Sequence, residues 1–157
     1  MSLITRSIEV EVPVSRAYNQ WTQFEEFPAF MEGVERVEQL DDKRLYWRAE
    51  LGGVRREWHA EIVEQIPDQR IAWRSTSGAK NAGVVIFEPL AGDRCRVQLQ
   101  LEYEPEGATE TVGDWLGVVT SRVEGDLDRF KEFIDRRGIE TGGWRGEIRQ
   151  SAVSRTS

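Results

Sequence analysis

Six stretches of alternating apolar and polar residues follow one another between Val34 and Tyr103, with only short turns between them. They are Val34–Leu40, Arg44–Leu51, Val54–Ile66, Arg70–Ser77, Gly83–Pro89 and Arg94–Tyr103. The gaps carry turn residues: Asp41-Asp42, Gly52-Gly53, Pro67-Asp68, the segment Ser77–Ala82, and Gly92-Asp93. Connections this short leave no room for crossover helices, so the strands must be antiparallel neighbours in one meander. The alternation also gives each strand a dry side. In the last strand Cys95, Val97, Leu99, Leu101 and Tyr103 share one side, and Arg94, Arg96, Gln98, Gln100 and Glu102 share the other. Leu45, Trp47, Ala49 and Leu51 form the dry set of the second strand; Trp58, Ala60 and Ile62 that of the third; Ile71 and Trp73 that of the fourth. A sheet that is apolar on one face and charged on the other is covered on one side only.

The cover is supplied by the C-terminal third. From Thr109 to Arg137, Val112, Leu116, Val119, Val123, Leu127, Phe130 and Ile134 recur at spacings of three and four, the stripe of an amphipathic helix. Charged residues, Arg122 and Arg129 among them, are expected off that stripe, and Gly138 fits the position that ends the helix. Ahead of the meander stand an alternating strand, Leu3–Val12, a helical pattern over Val14–Phe24, and a second short helix over Glu25–Met31 with Pro28 near its start. After Gly138 the composition turns to Gly, Ser, Thr and Arg. The chain therefore divides into a domain over residues 1–138 and a C-terminal tail over 139–157. The tail has two readings: a mobile terminus, or a segment whose Trp144 docks on this domain or on a second copy, giving a homodimer.

With 157 residues the chain fits one domain. Its 28 acidic and 21 basic residues give a net charge of −7, which disfavours nucleic acid or an anionic membrane surface as partner. No apolar run is long enough to span a bilayer, the opening MSLITRSIEV does not read as a signal peptide, and the single Cys95 excludes an internal disulfide; the expected compartment is the cytoplasm.

Three segments carry a family resemblance: IEVEVPVSRAYNQWTQFEEFPAFM at the start, REWHAEIVEQIPDQRIAWRS in mid-sheet, and FEPLAGDRCRVQLQLEYEP before the final helix. Over about Ser2–Gly138 the chain resembles the START-like, Bet v 1-like superfamily, and within it the polyketide cyclase/dehydrase and lipid-transport group. The resemblance implies an α+β helix-grip fold: a curved seven-stranded antiparallel sheet wrapped around a long C-terminal helix. It also implies a cavity between sheet and helix that takes a small hydrophobic molecule such as a lipid, quinone or polyketide. That fold serves many functions, so a cyclase or dehydratase activity and a protein-interaction role in a larger complex are the alternatives.

Six tryptophans must be placed before a ligand site can be drawn. Trp47, Trp58, Trp73 and Tyr103 project from the dry face; Phe27, Phe30 and Met31 belong near the mouth; Trp115, Leu116 and Val119 sit on the helix. Together they form the expected ligand lining, against the plainer reading of a core filled by bulky rings. Gly113 and Gly117, inside the helix, are read either as leaving room for a ligand or as tolerated surface glycines. His59 falls on the wet face, where a general base is out of place, and one His and one Cys leave only carboxylates for a metal, so neither metal nor cofactor is expected. Tyr103 and Arg56 are the candidate catalytic residues if a reaction occurs; Arg56 and Arg6, if turned inward, are alternatives to arginines that snorkel to water.

Overall fold

The computed structural model describes residues 2–154 apart from 52, 104–111 and 151, without the side chains of 2, 51, 112–116 and 152–154. Strand β1 (Ser2–Val10) leads into helix α1 (Val14–Trp21) and a 3-10 helix (Phe24–Ala29). The meander follows as β2 (Val34–Gln39), β3 (Arg44–Leu51), β4 (Val54–Ile66), β5 (Arg70–Gly78), β6 (Asn81–Leu90) and β7 (Arg94–Tyr103). The long helix α2 spans Val112–Arg137, and two short strands, β8 (Glu147–Arg149) and β9 (Ala152–Ser154), come last. The principal strand order is β1-β7-β6-β5-β4-β3-β2, antiparallel throughout, so the N-terminal strand closes one edge by pairing with β7. This is the curled half-barrel of the helix-grip fold, with α2 against its concave face.

The alternation read from the sequence sets the core. Leu45, Ala60, Ile62, Ile71, Val85, Cys95 and Val97 are buried on the strands, and Val119, Val123, Leu127, Phe130 and Ile134 face them from α2. At about 25 cal/mol per Å² of apolar surface, this stripe against the sheet is what holds the long helix in place. Aromatic edges lock the junction: Trp21 meets Phe130 at 4.9 Å between centroids and Phe27 at 5.4 Å. The second predicted helix is a 3-10 turn instead, a geometry suited to so short a segment with Pro28 inside it.

The sequence-based phase holds along β4 only as far as Ile62. A bulge between Ile62 and Glu64 shifts the register, so that Gln65 and Ile66 are both buried at the far end of the strand.

The segment after Gly138, which composition marked as a tail, is packed on the domain as far as β8. Gln20, wholly buried in α1, donates through Nε2 to Thr141 Oγ1 (3.1 Å) and accepts from the Thr141 amide (2.8 Å). Asn19 Nδ2 donates to Glu140 (2.9 Å), the Trp144 amide donates to Thr22 Oγ1 (3.0 Å), and Arg145 donates to Asn19 (2.7 Å) and Asp68 (2.8 Å). Ile148 is fully buried, and β8 pairs with β4 at Gln65, adding an edge the sequence reading did not contain.

Candidate functional site

The helix does not press flat against the whole sheet. A cavity of about 210 Å³ remains between them. β3 contributes Leu45, Trp47 and Ala49 to its wall; β4, Arg56, Trp58 and Ile62; β5, Ile71 and Trp73; β7, Leu99, Leu101 and Tyr103. Val119, Val123 and Leu127 close it from α2, and Trp21, Phe24, Phe27 and Met31 close it from the α1 side.

Residue pairing explains the wall. Trp47 and Trp58 are cross-strand partners, and their rings stack at 5.6 Å with only 8° between planes. Trp73 lies opposite Gly83 on β6; a Cβ there would fall 2.7 Å from the Trp73 ring and 2.6 Å from the Gln100 carbonyl oxygen, so glycine gives the indole its place. The Trp73 indole N–H donates to Asn81 Oδ1 (3.1 Å), which satisfies its polar edge and leaves its apolar body on the wall.

Of the residues expected at the site, Phe27, Met31, Trp47, Trp58, Trp73, Tyr103, Arg56 and Val119 lie on this wall. Phe30 does not. It is buried against Phe130 (5.4 Å) and Phe133 (5.1 Å), because it follows the last 3-10 residue with a non-helical backbone (φ −136°) that carries its ring under the end of α2. The side chains of Trp115 and Leu116, and the surroundings of Gly113, lie outside what is described. Gly117 is exposed, and a Cβ on it would meet nothing within 4 Å. Arg6 pairs with Glu124 (3.4 Å) at the surface, and His59 sits on the wet face against Ser77 Oγ (3.1 Å). Cys95 is completely buried, and burial pushes its thiol up to about 12.

What the sequence reading missed is a polar clasp. Arg122, expected off the helix stripe, lines the cavity together with Asp126 and Glu32. Arg122 Nη1 donates to the backbone oxygens of Glu32 and Glu50 (3.0 Å to the latter), tying the turn before β2 and the end of β3 to α2. Arg129 Nε donates to the Phe30 carbonyl (3.0 Å), and its Nη2 donates to Asp126 Oδ1 (2.6 Å). The same Oδ1 accepts the Glu32 amide (3.1 Å). Burial pushes the Asp126 carboxyl up to about 6, while Arg129 and Arg122 pull it back. The signal was present: 119, 122, 123, 126, 127 and 130 together trace one helical face, and two of those positions are charged.

Among the described residues, no three His, Cys, Asp or Glu side chains gather as a metal site, and no helix is long and apolar enough to cross a membrane.

Comparison with known proteins gives this geometry its family. The model described as polyketide cyclase / dehydrase and lipid transport matches residues 10–132. The chain belongs to that family. An uncharacterized 17.2 kDa protein of Streptomyces lincolnensis is 55% identical over 149 residues, 94% of this chain and 99% of that one. Among solved structures, the Zhui aromatase/cyclase of a Streptomyces species superposes with a TM-score of 0.76 at 15% identity, covering 90% of this chain and 98% of the other. A START superfamily protein of Mycobacterium smegmatis superposes at 0.68 with 14% identity, over 86% and 95% of the two chains. At such identities the two structures speak for the fold, and the fold they share is the helix-grip one.

Proposed function

We propose that this member of the polyketide cyclase/dehydrase and lipid-transport family binds a small hydrophobic molecule, of the lipid, quinone or polyketide-like class, in the cavity between the sheet and α2. One observation carries the reading: a hollow walled by Trp47, Trp58 and Trp73 and by aliphatic side chains from five strands and the helix. Apolar concave sites with a few convergent polar groups are where small ligands bind. Large rings add contact area at low entropic cost, so the indoles serve a ligand better than long aliphatic chains would.

Organic extraction of the purified protein followed by mass spectrometry tests the reading, together with tryptophan fluorescence across lipids, quinones and polyaromatics. A bound apolar compound, or a saturable emission change with at least one class, supports it. Finding neither overturns it.

A cyclase or dehydratase reading is supported by the position of Tyr103 and Arg56, both on the cavity wall. A pocket of this kind acts on a reactive chain mainly by folding it into the productive conformer. Conversion of a polyketide-like substrate that is unaffected by both Tyr103→Phe and Arg56→Ala would remove the two residues from that role. For Trp144, docking on this domain is supported by its amide's hydrogen bond to Thr22 and by its packing against the core.

A further inference from the structure

Asp126 differs from every other acidic group near the cavity in how its two oxygens are used. Its side chain is 15% exposed and stands on the α2 face between Val123 and Leu127, all three lining the hollow. Oδ1 accepts two hydrogen bonds, from the Glu32 amide (3.1 Å) and from Arg129 Nη2 (2.6 Å). Oδ2 accepts none from the described residues. A carboxylate offers about four lone-pair sites, so the fixed oxygen is satisfied and the other keeps its acceptor capacity. The two nearest cations do not compete for a ligand. Arg122 is turned to the Glu32 and Glu50 carbonyls, and Arg129 to the Phe30 carbonyl and to Asp126 itself. An acceptor that no protein donor occupies, at the edge of an apolar hollow, takes a donor that reaches it from a ligand.

From this geometry we propose that Asp126 Oδ2 is the hydrogen-bond acceptor of the cavity and selects apolar ligands that carry a hydroxyl group. The inference rests on the cavity reading above and adds the chemistry of the ligand's polar end. A hydroxyl donates to Oδ2; an ether in the same place offers only a second acceptor, and a carboxylate brings a like charge.

The test uses three probes of one shape: 2-naphthol, 2-methoxynaphthalene and 2-naphthoate, titrated calorimetrically into the full chain near neutral pH. The expected result is naphthol binding about tenfold tighter than the ether, as one charge-assisted hydrogen bond allows, with naphthoate weakest. Asp126→Asn is the informative variant. The two N–H donors at Oδ1 hold the amide with its oxygen toward Glu32 and Arg129, which turns an NH2 donor toward the cavity. The naphthol preference should then vanish, or shift to the ether. Equal binding of naphthol and ether by the unsubstituted protein overturns the Asp126 assignment and leaves the cavity reading standing. So does a preference retained in Asp126→Asn, or naphthoate binding tightest, which would hand the polar end to Arg56 or Lys80 on the same wall. Failure of all three probes to bind also overturns the Asp126 assignment, while the cavity reading falls only if the lipid and quinone arms fail as well. If the variant does not fold, the naphthol-to-ether ratio of the unsubstituted protein decides.

Discussion

Arg122 occupies the space that a side chain on residue 33 would need. A Cβ built on Gly33 overlaps the Arg122 guanidinium and falls 2.5 Å from the Glu50 carbonyl oxygen, and Gly33 has a φ of +85°. The turn that leads into β2 and the helix that covers the sheet are therefore fitted to each other through an absent side chain, at the edge of the cavity.

Gly33→Ala is accordingly expected to destabilise the fold by about 1–3 kcal/mol, from the left-handed backbone and the displaced guanidinium together. Urea unfolding followed by circular dichroism measures it. A change below about 0.5 kcal/mol would show that the clasp is not under steric constraint.

Wall and core aromatics should respond differently to truncation. Phe130 is fully buried among Trp21 and Phe30, so Phe130→Ala should cost about 3–5 kcal/mol. Trp58 is half-buried and stacks on Trp47 at the cavity, so Trp58→Ala should cost less, about 2 kcal/mol, from the ring pair and the covered part of the indole together. Denaturation midpoints of the two variants give the comparison. Equal losses would mean that Trp58 is core and not lining.

The six-strand meander was legible because period-2 alternation and turn residues are local. The bounds of β3, β4 and β7 agree with those read from the sequence. Where local pattern failed, a distant partner decided. Gln65 is turned inward by a bulge and meets Ile148 from the far end of the chain. The Gln20–Thr141 pair joins residues 121 positions apart and leaves no trace in composition. At the site, the tryptophan wall follows from strand phase, whereas Phe30 stands just past the 3-10 helix, where no helical period sets its direction. Arg122 and Asp126 escape a local reading because a charge ordinarily marks an outward face.

The docked C-terminal segment carries a prediction of its own. Ending the chain at Gly138 strips Gln20 of both partners and uncovers the ground beneath Ile148. An unpaired buried amide costs about 1–3 kcal/mol, and the loss of Ile148 costs about 2–5 kcal/mol. Thermal unfolding of the shortened chain should show a clearly lower midpoint, with Ile148→Ala reproducing a large part of the drop. An unchanged midpoint would return the segment to the status of a tail.

Stability should depend on pH through Asp126. Its carboxyl is raised from 3.8 to about 6 by burial, so the folded chain holds a proton that the unfolded chain has released between those values. Protonation thus favours the fold, and the stability it contributes is present below about pH 4 and lost as the pH rises through about 6. Relative to Asp126→Asn, the unsubstituted protein should gain on the order of 2 kcal/mol on going from about pH 7.5 to about pH 4. Parallel stability curves for the two proteins would contradict it.

The most direct test of the cavity as a ligand site is to follow the indole N–H resonances of ¹⁵N-labelled protein while an apolar aromatic such as 2-naphthol is added. Trp47, Trp58 and Trp73 line the hollow, and Trp144 does not. The resonances of the first three should shift together along one saturable curve, with Trp144 unmoved. Shifts confined to Trp144, or none at any indole while the ligand stays in solution, would contradict the account.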